Sequence, residues 1–368
     1  MTERDSMLDR PVRRGVAEIA IALLDAARAA STRLDDPDDA EALHDFRVAL
    51  RRLRSLLRGF RPELERAISK KLLRRLRDVT QSTNTTRDAE VQLLWINEHR
   101  AELGKRPGPG VPWLLARLEE RRDRGYAKAR ADAAQQFRRV DRRLRRPLNS
   151  AILDPRPGEQ SLALAAAHLI RELVTELEQE VAAARSPRDD DAIHSARIAG
   201  KRLRYLLEPL SAEAEQLGPV IKQLRGLQDL LGELHDLQVL VVDLGDAVAE
   251  AAAERARRLH KAAVRRTAEP KPTAGPRPAS AGLLAIARLA RRVQDELFHR
   301  LESEWGAGQL AALTGELNTF AQALAARAAP PPSLPAPPPA RSQPRPRRVP
   351  RPSRRARATP VVPSPEGS

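Results

Sequence analysis

The sequence predicts an all-α protein built as a tandem pair of four-helix bundles with pseudo-two-fold symmetry, followed by a disordered C-terminal tail. Only 3% of the 368 residues are aromatic, and Leu, Ala, Val and Ile supply most of the apolar positions, which favours helix-on-helix packing over a sheet. Apolar positions between the proline-rich and glycine-rich segments recur with the helical period. A histidine-led basic motif also occurs twice, in the same order along each half of the chain.

Four helices are predicted in the first half, at residues 12–33, 39–60, 63–103 and 112–146. Pro37, Pro62 and the segment 107–112 separate them, because the proline ring and its missing amide proton are poorly tolerated inside a helix. The third of these helices is expected to break near Asn84. We assign residues 12–150 to a first four-helix unit.

The second half predicts the same order of helices, at residues 160–185, 190–213, 217–266 and 280–303. The third of these is expected to break near Gly232. Residues 158–303 form the second unit, and the two units together form one domain over residues 12–303. A short helix near residues 309–327 is expected in a terminal segment, residues 304–329.

The repeated motif aligns residue against residue. The first copy reads Asp38-Asp39-x4-His44-x2-Arg47-x3-Arg51-Arg52-x-Arg54. The second copy reads Asp189-Asp190-x3-His194-x2-Arg197-x3-Lys201-Arg202-x-Arg204, and the separation from the histidine onward is 194 − 44 = 150 residues. Further along, Arg87-Asp88 aligns with His235-Asp236 at a separation of 236 − 88 = 148 residues. Such a repeat indicates two equivalent units, which predicts the pseudo-two-fold axis.

Each copy of the motif places a row of basic residues on one side of a helix. Apolar residues at alternating steps of three and four form the core-facing side, and the basic residues lie one position later, about 100° around the helix. The first basic stripe is His44, Arg47, Arg51, Arg54 and Arg58, widened by Arg52. The second basic stripe is His194, Arg197, Lys201 and Arg204, with Arg202 beside it.

A second basic helix follows each stripe, with Arg74, Arg77 and Arg87 in the first unit and Lys222, Arg225 and His235 in the second. The acidic residues of each stripe helix are gathered at its start, where they interact with the helix dipole. We therefore expect a groove that is lined from two sides, lacks internal counter-charges and holds an external anion. The alternative is that the arginines cover apolar surface and pair with acids from other helices.

The charge of the chain favours polyanionic partners. The formal net charge is +16, and residues 330–368 contribute 8 − 1 = +7 of it, from eight Arg and one Glu. Fourteen prolines and almost no large apolar side chains leave this tail unable to offset chain entropy, so we expect disorder. The tail serves either to keep the chain soluble or to contact DNA without sequence preference.

The remaining composition narrows the cellular setting. The sequence contains no cysteine, which excludes disulfides and thiolate chemistry and is compatible with a reducing cytoplasm. The segment Met1 to Arg14 has no apolar leader, and no segment approaches the roughly 18 apolar residues that a spanning helix needs. We expect a soluble cytoplasmic protein that has no membrane partner and needs no cofactor.

The two stripes resemble the conserved histidine α-helical domain family, written CHAD. The resemblance rests on three segments, His44 to Arg54, Ile193 to Tyr205 and Leu224 to Asp236. It implies two four-helix bundles around a basic groove that binds inorganic polyphosphate without catalysis, and targeting to polyphosphate granules. The first copy departs from the second, with Arg87 in place of His235, which predicts unequal contributions from the two halves.

Three other functions remain as alternatives to polyphosphate binding. His44, His194 and His235 could ligate a metal ion, but the surrounding arginines oppose a cation. A phosphohydrolase would need acidic residues around Mg²⁺ inside the groove, and the family's fused triphosphatase motif is absent because Glu176-x-Glu178-x-Glu180 lacks the lysine. Nucleic-acid binding is the serious alternative, although the stripes lack aromatic platforms for stacking bases.

Overall fold

The computed structural model describes residues 6–36, 39–65, 67–103, 108, 110–128, 132–154, 156–265, 279–306 and 308–328. Within these residues the structure contains helices and turns but no β-strand. Pro11 and Ser161 form one isolated β-bridge. The all-α prediction is confirmed. The predicted disordered tail, residues 330–368, lies outside the described residues.

Twelve α-helices run through the described part of the chain. They are α1 (Val12–Arg33), α2 (Ala40–Gly59), α3 (Arg61–Leu64), α4 (Lys70–Gln81), α5 (Asn84–Glu98), α6 (Gly110–Lys128), α7 (Ala134–Leu153), α8 (Leu162–Ala183), α9 (Asp190–Leu210), α10 (Leu217–Arg265), α11 (Ala279–Arg300) and α12 (Gln309–Arg327). Short 3₁₀ turns precede α1 and follow α5, and a π-helical turn at Leu301–Trp305 follows α11.

The repeat seen in the sequence is a repeat of helices. Helices α1 and α8 both begin and end 150 residues apart, since 162 − 12 and 183 − 33 give the same value. The stripe helices α2 and α9 also begin 190 − 40 = 150 residues apart. Asp39 caps α2 by accepting a hydrogen bond from the amide of Ala42 at 3.0 Å. The acidic cap satisfies an amide that the helix leaves open.

A short antiparallel contact marks the pseudo-two-fold axis. The amide of Val12 donates to the carbonyl of Gln160 at 3.0 Å, and the amide of Leu162 donates to the carbonyl of Arg10 at 2.8 Å. Residues 10 and 160, and residues 12 and 162, are each 150 apart, so equivalent positions exchange their hydrogen bonds. This reciprocity is what a two-fold relation between the repeats requires.

The helices pack as three groups rather than two. Helices α1, α2, α4 and α7 form the first bundle, and α8, α9, α12 and the N-terminal part of α10 form the second. A middle bundle combines α5 and α6 with α11 and the C-terminal part of α10. Because this bundle draws on both repeats, residues 12–150 and 158–303 do not pack separately. Met1–Ala329 forms one compact unit.

Three sequence-based boundaries need correction. Helix α10 continues through Gly232 without the predicted break, because Leu231 and Leu234 are buried on either side of it and this burial outweighs the low helix propensity of glycine. The segment 112–146 forms two helices, α6 and α7, instead of one. Helix α12 packs on α8, as α7 packs on α1, and is therefore part of the second bundle rather than a terminal addition.

Candidate polyanion-binding groove

The two basic stripes lie together where α2 packs against α9. Arg51 of the first stripe acts electrostatically on both Arg197 and Lys201 of the second. On the flank, Arg52 reaches across to the carboxylate of Glu208 on α9 at 2.8 Å. The fold therefore brings the stripes of the two repeats side by side, and we call the surface that they share the groove.

Positive charges are crowded at the centre of this groove. Burial, together with the charges of the neighbouring Arg197 and Arg51, lowers the pKa of Lys201 to about 6. Burial also lowers the pKa of Arg54, with contributions from Arg58 and Arg77. Like charges that share a poorly solvated site destabilise one another, and a bound anion would relieve this repulsion.

Arg47 and Arg197 are equivalent in the repeat but have different surroundings. Arg47 is buried and donates to the backbone carbonyl of Thr83 at 2.9 Å. That carbonyl is available because the chain turns between α4 and α5, whereas the corresponding stretch of α10 is continuous helix. Arg197 instead lies 3.7 Å from the carboxylate of Asp236. The first repeat uses its arginine to hold the fold, which supports the predicted inequality of the halves.

Two carboxylates lie beneath the cations at equivalent positions. Burial raises the pKa of Asp88 and of Asp236, while Arg47 opposes the shift at Asp88 and Arg197 opposes it at Asp236. The charge of Asp236 also raises the pKa of Asp88. The expectation that acids are kept away from the stripes is therefore wrong, because α5 and α10 bring these aspartates to the base of the groove.

A third acid neutralises one end of the groove. Glu208 lies 2.8 Å from Arg52, 3.5 Å from Arg225 and 3.7 Å from Arg204. It stands 208 − 58 = 150 residues after Arg58, so the second stripe ends in an acid where the first ends in a base. The stripe-by-stripe prediction missed it, although the i,i+4 spacing from Arg204 was visible in the sequence.

The histidines separate into a contacting pair and a single exposed residue. The rings of His194 and His235 lie 4.6 Å apart. Burial, followed by the charge of Arg197, lowers the pKa of His235 to about 4, which keeps its ring neutral. His44 is exposed on α2, and the position equivalent to His235 holds Arg87. Within the described ranges no group of three or more His, Asp or Glu residues is placed to hold a metal ion.

Not every predicted site residue faces the groove. Arg202 pairs with Glu176 of α8 and lies about 100° around α9 from Lys201, so it flanks the stripe and is engaged by an internal acid. The Nε of Arg77 donates a hydrogen bond to Gln81 at 3.4 Å, and the charge of Arg77 helps to lower the pKa of Arg54. Four further predicted residues are exposed, Arg58, Arg74, Arg87 and Lys222.

Several donors inside the groove lack an acceptor. The buried Nε atoms of Arg51, Arg197 and Arg204 have no hydrogen-bond partner in the part of the chain that the structure describes. Buried donors are normally satisfied, and an orphaned one is costly. Their positions along the row of stripe residues make the groove a line of unsatisfied, positively charged donors.

The sequence model of the CHAD domain matches residues 18–244, a span that includes both stripes and the aspartates beneath them. The chain belongs to the CHAD domain family. This CHAD domain also resembles a solved relative, the crystal structure of the CHAD domain from the plant Ricinus communis, with a TM-score of 0.55 and 21% identity. The match covers 84% of this chain and 92% of that one, which supports the shared all-helical fold.

Two negative findings concern this CHAD domain. A search of curated proteins finds no match to the chain. None of the helices in the described ranges is long and apolar enough to cross a membrane.

Proposed function

We propose that this CHAD domain binds inorganic polyphosphate in the groove between α2 and α9 and does not hydrolyse it. The carrying observation is the cluster of Arg51, Arg197 and Lys201, in which burial and mutual repulsion lower the pKa of Lys201 to about 6. A polyanion would relieve that repulsion and restore the proton to the lysine. An anion with a charge on every unit would do so along the whole groove.

The donors fit phosphate oxygens well. Guanidinium groups offer paired N–H donors whose geometry matches neighbouring oxygens, and the hydrogen bonds are strengthened by charge. The unpartnered Nε atoms of Arg51 and Arg197 supply donors without breaking existing bonds. A flexible phosphate polymer can adapt its register to these fixed positions, which makes the groove suited to a repeating ligand.

The aromatic residues nearby disfavour single-stranded nucleic acid as the occupant. Phe46 is fully buried and packs edge-on against Phe137 in the first bundle. Tyr205 is buried, with the guanidinium carbon of Arg204 5.1 Å from its ring centre. Neither ring is available to stack a base, the contact on which single-strand binders rely.

We propose that the protein does not hydrolyse polyphosphate because the acidic residues of the groove are paired with basic residues of the protein. Asp236 is engaged by Arg197, and Glu208 by three arginines, so each carboxylate has an internal cation. We expect no release of orthophosphate when long-chain polyphosphate is incubated with the protein and Mg²⁺. Release that scales with protein concentration, and that is lost on Asp236→Asn, would contradict this part of the proposal.

The binding site is tested by replacing Arg51, Arg54, Lys201 and Arg204 together with Ala. Affinity for long-chain polyphosphate at about 150 mM salt should fall by at least about 100-fold, since several charged hydrogen bonds are lost. The far-UV circular dichroism spectrum should be unchanged because the four side chains are only partly buried. A matched variant replaces Arg255, Arg257, Lys261 and Arg265 on the exposed end of α10 and should bind as the natural protein does.

Two outcomes of the titration would place the site elsewhere. The first is unchanged polyphosphate affinity in the groove variant. The second is an equal loss of affinity in the α10 variant, which would indicate a general charge effect. Duplex DNA that competes polyphosphate out of the groove at the same salt concentration would favour a nucleic-acid site instead.

Targeting to polyphosphate granules follows from the same proposal. A fluorescent fusion of the full chain should concentrate on granules in polyphosphate-accumulating cells. The groove variant should remain diffuse, and granule association that survives this variant would mean that another part of the chain directs it.

A further inference from the structure

Helix α7 carries a second basic surface that is separate from the groove. Five of its exposed residues are arginines, Arg138, Arg139, Arg142, Arg143 and Arg146. At 100° per residue they fall within one arc of about 140°. None of the five has an acidic partner within ion-pair distance in the described ranges, whereas the neighbouring Arg145 pairs with both Asp25 and Asp141.

This arginine face points away from the groove. Phe137 lies on the inner side of α7 and packs against Phe46 of α2 across the first bundle, with ring centres 5.3 Å apart. Helices α1 and α4 lie between α7 and α2 on either side. A ligand on the outer side of α7 is therefore not held by the residues that line the groove.

The second repeat shows that the fold does not require these charges. Helix α12 packs on α8 as α7 packs on α1. Apart from Arg327 in the last turn, which pairs with Asp9, the exposed residues along its length are neutral or acidic, for example Ala312, Glu316, Thr319 and Gln322. Arginines three and four residues apart repel each other on a helix, so α7 carries a repulsion that its counterpart avoids. An external anion would offset it.

We propose that the arginine face of α7 binds duplex DNA. The face is convex and its arginines are solvated, so each contact is weak and a ligand must engage several at once. A flexible phosphate polymer would lose conformational entropy when laid on such a surface, whereas a duplex is stiff and presents about one charge per 1.7 Å. The B-form major groove, about 12 Å wide, admits a helix, which the narrow A-form RNA groove does not.

The proposal is independent of polyphosphate binding and is tested with the full-length protein. The variant Arg138→Gln, Arg142→Gln, Arg146→Gln should bind a fluorescently labelled DNA duplex at least about tenfold more weakly at about 50 mM salt. Its dependence of log affinity on log salt should be shallower by about 2 to 3, because roughly 0.9 is lost for each phosphate contact. The charge-matched control is Arg255→Gln, Arg257→Gln, Lys261→Gln on α10.

Each other result has a defined meaning. An equal loss in the α10 control would show a net-charge effect and overturn the proposal. Loss of duplex binding in the groove variant described above would place the duplex in the groove. Tighter binding of duplex RNA than DNA, or an equal loss of polyphosphate binding in the α7 variant, would assign the face to another polyanion. Retained polyphosphate binding with lost duplex binding supports two separate surfaces.

Discussion

Lys201 and Glu208 determine how much free positive charge the groove presents. Lys201 is held near neutrality by burial and by two arginines, and Glu208 occupies three arginines that would otherwise face a ligand. An arriving polyanion must outcompete the carboxylate, and it raises the pKa of the lysine so that the lysine takes up a proton from the solution. Substitutions at these two residues should therefore change polyphosphate affinity in ways that can be measured separately from the general electrostatic attraction of the groove.

Binding of polyphosphate should take up a proton at Lys201. The pKa in the free protein is about 6, below the ordinary 10.5, so the lysine is mostly neutral at pH 7.5. Bound phosphate favours the charged form and raises the pKa, so about one proton is taken up at pH 7.5 and none at pH 5. Affinity should weaken as the pH rises above 6.

Calorimetric titration in buffers of different ionisation enthalpy measures this uptake. Lys201→Arg is the matched control, because its charge is permanent and it should bind with no proton linkage. Proton uptake that persists unchanged in this variant would show that another group titrates.

Replacing Glu208 with Gln should tighten polyphosphate binding. The substitution frees Arg52, Arg204 and Arg225 from an internal anion while keeping the side-chain shape. We expect a gain of about three- to tenfold, in line with about 1 kcal/mol for partly exposed ion pairs, together with lower stability of the free protein. Equilibrium binding measures the gain, and Glu176→Gln, which releases only Arg202 at the flank of the stripe, should leave affinity unchanged. Weaker binding in the Glu208 variant would refute competition.

The sequence predicted which residues form the stripes but not which of them remain available. Spacing alone places Arg47, Arg51, Arg197 and Lys201 correctly on one side of each helix. Whether an arginine is free depends on partners from distant elements, such as the carbonyl of Thr83. Asp88 and Asp236 were visible as an aligned pair, yet only the packing of α5 beside α10 shows that they lie beneath the cations.

At the scale of helices, α6 and α11 approach each other through glycine. A Cβ atom added at Gly282 would lie 3.2 Å from the backbone of Gly110, and one added at Gly110 would meet the carbonyl oxygen of Ala279 at 2.0 Å. The middle bundle therefore closes only because both positions lack side chains. The helical periodicity of the sequence predicts the two helices but not this contact, since glycine in a helix reads simply as a weak position.

The substitution Gly282→Ala should destabilise the protein by about 1 to 3 kcal/mol, because overpacking displaces backbone that cannot yield. Urea unfolding followed by circular dichroism measures the change. Gly245→Ala on α10 is the control, since nothing lies within 4 Å of its added Cβ. It should stabilise the helix by about 0.5 to 1 kcal/mol. Equal effects at the two positions would contradict the close approach.

Helix bounds were predicted well where composition changes sharply and poorly where tertiary packing decides. The predicted bounds of the first helix coincide with those of α1, and the turn near Asn84 separates α4 from α5. Gly232 misled the prediction because the burial that keeps α10 continuous comes from other helices. No local pattern contains that information.

At the scale of the whole molecule, the two repeats are sequence units that share a core. Each contributes half of the middle bundle, and the pair of hydrogen bonds around the two-fold axis joins residues 10–12 to residues 160–162. A sequence repeat predicts equivalent units, but it does not reveal that elements of the two units intermix. That arrangement follows from the lengths of α4, α5 and α10.

Separating the repeats should expose apolar surface. A fragment of residues 1–157 lacks the partners of α5 and α6, so it should aggregate or show reduced helicity by circular dichroism. Mixed with residues 158–329 after joint refolding, it should form a one-to-one complex by size-exclusion chromatography with restored helicity. A monomeric first fragment with full, cooperative helicity would contradict the shared middle bundle.

The central claim, that the crowded cations between α2 and α9 receive phosphate, is tested most directly by a crystal structure of the protein with tripolyphosphate bound. The account predicts phosphate oxygens within hydrogen-bond distance of Nε of Arg51, Nε of Arg197 and Nζ of Lys201. Tripolyphosphate held elsewhere, with none of these three groups in contact with it, would contradict it.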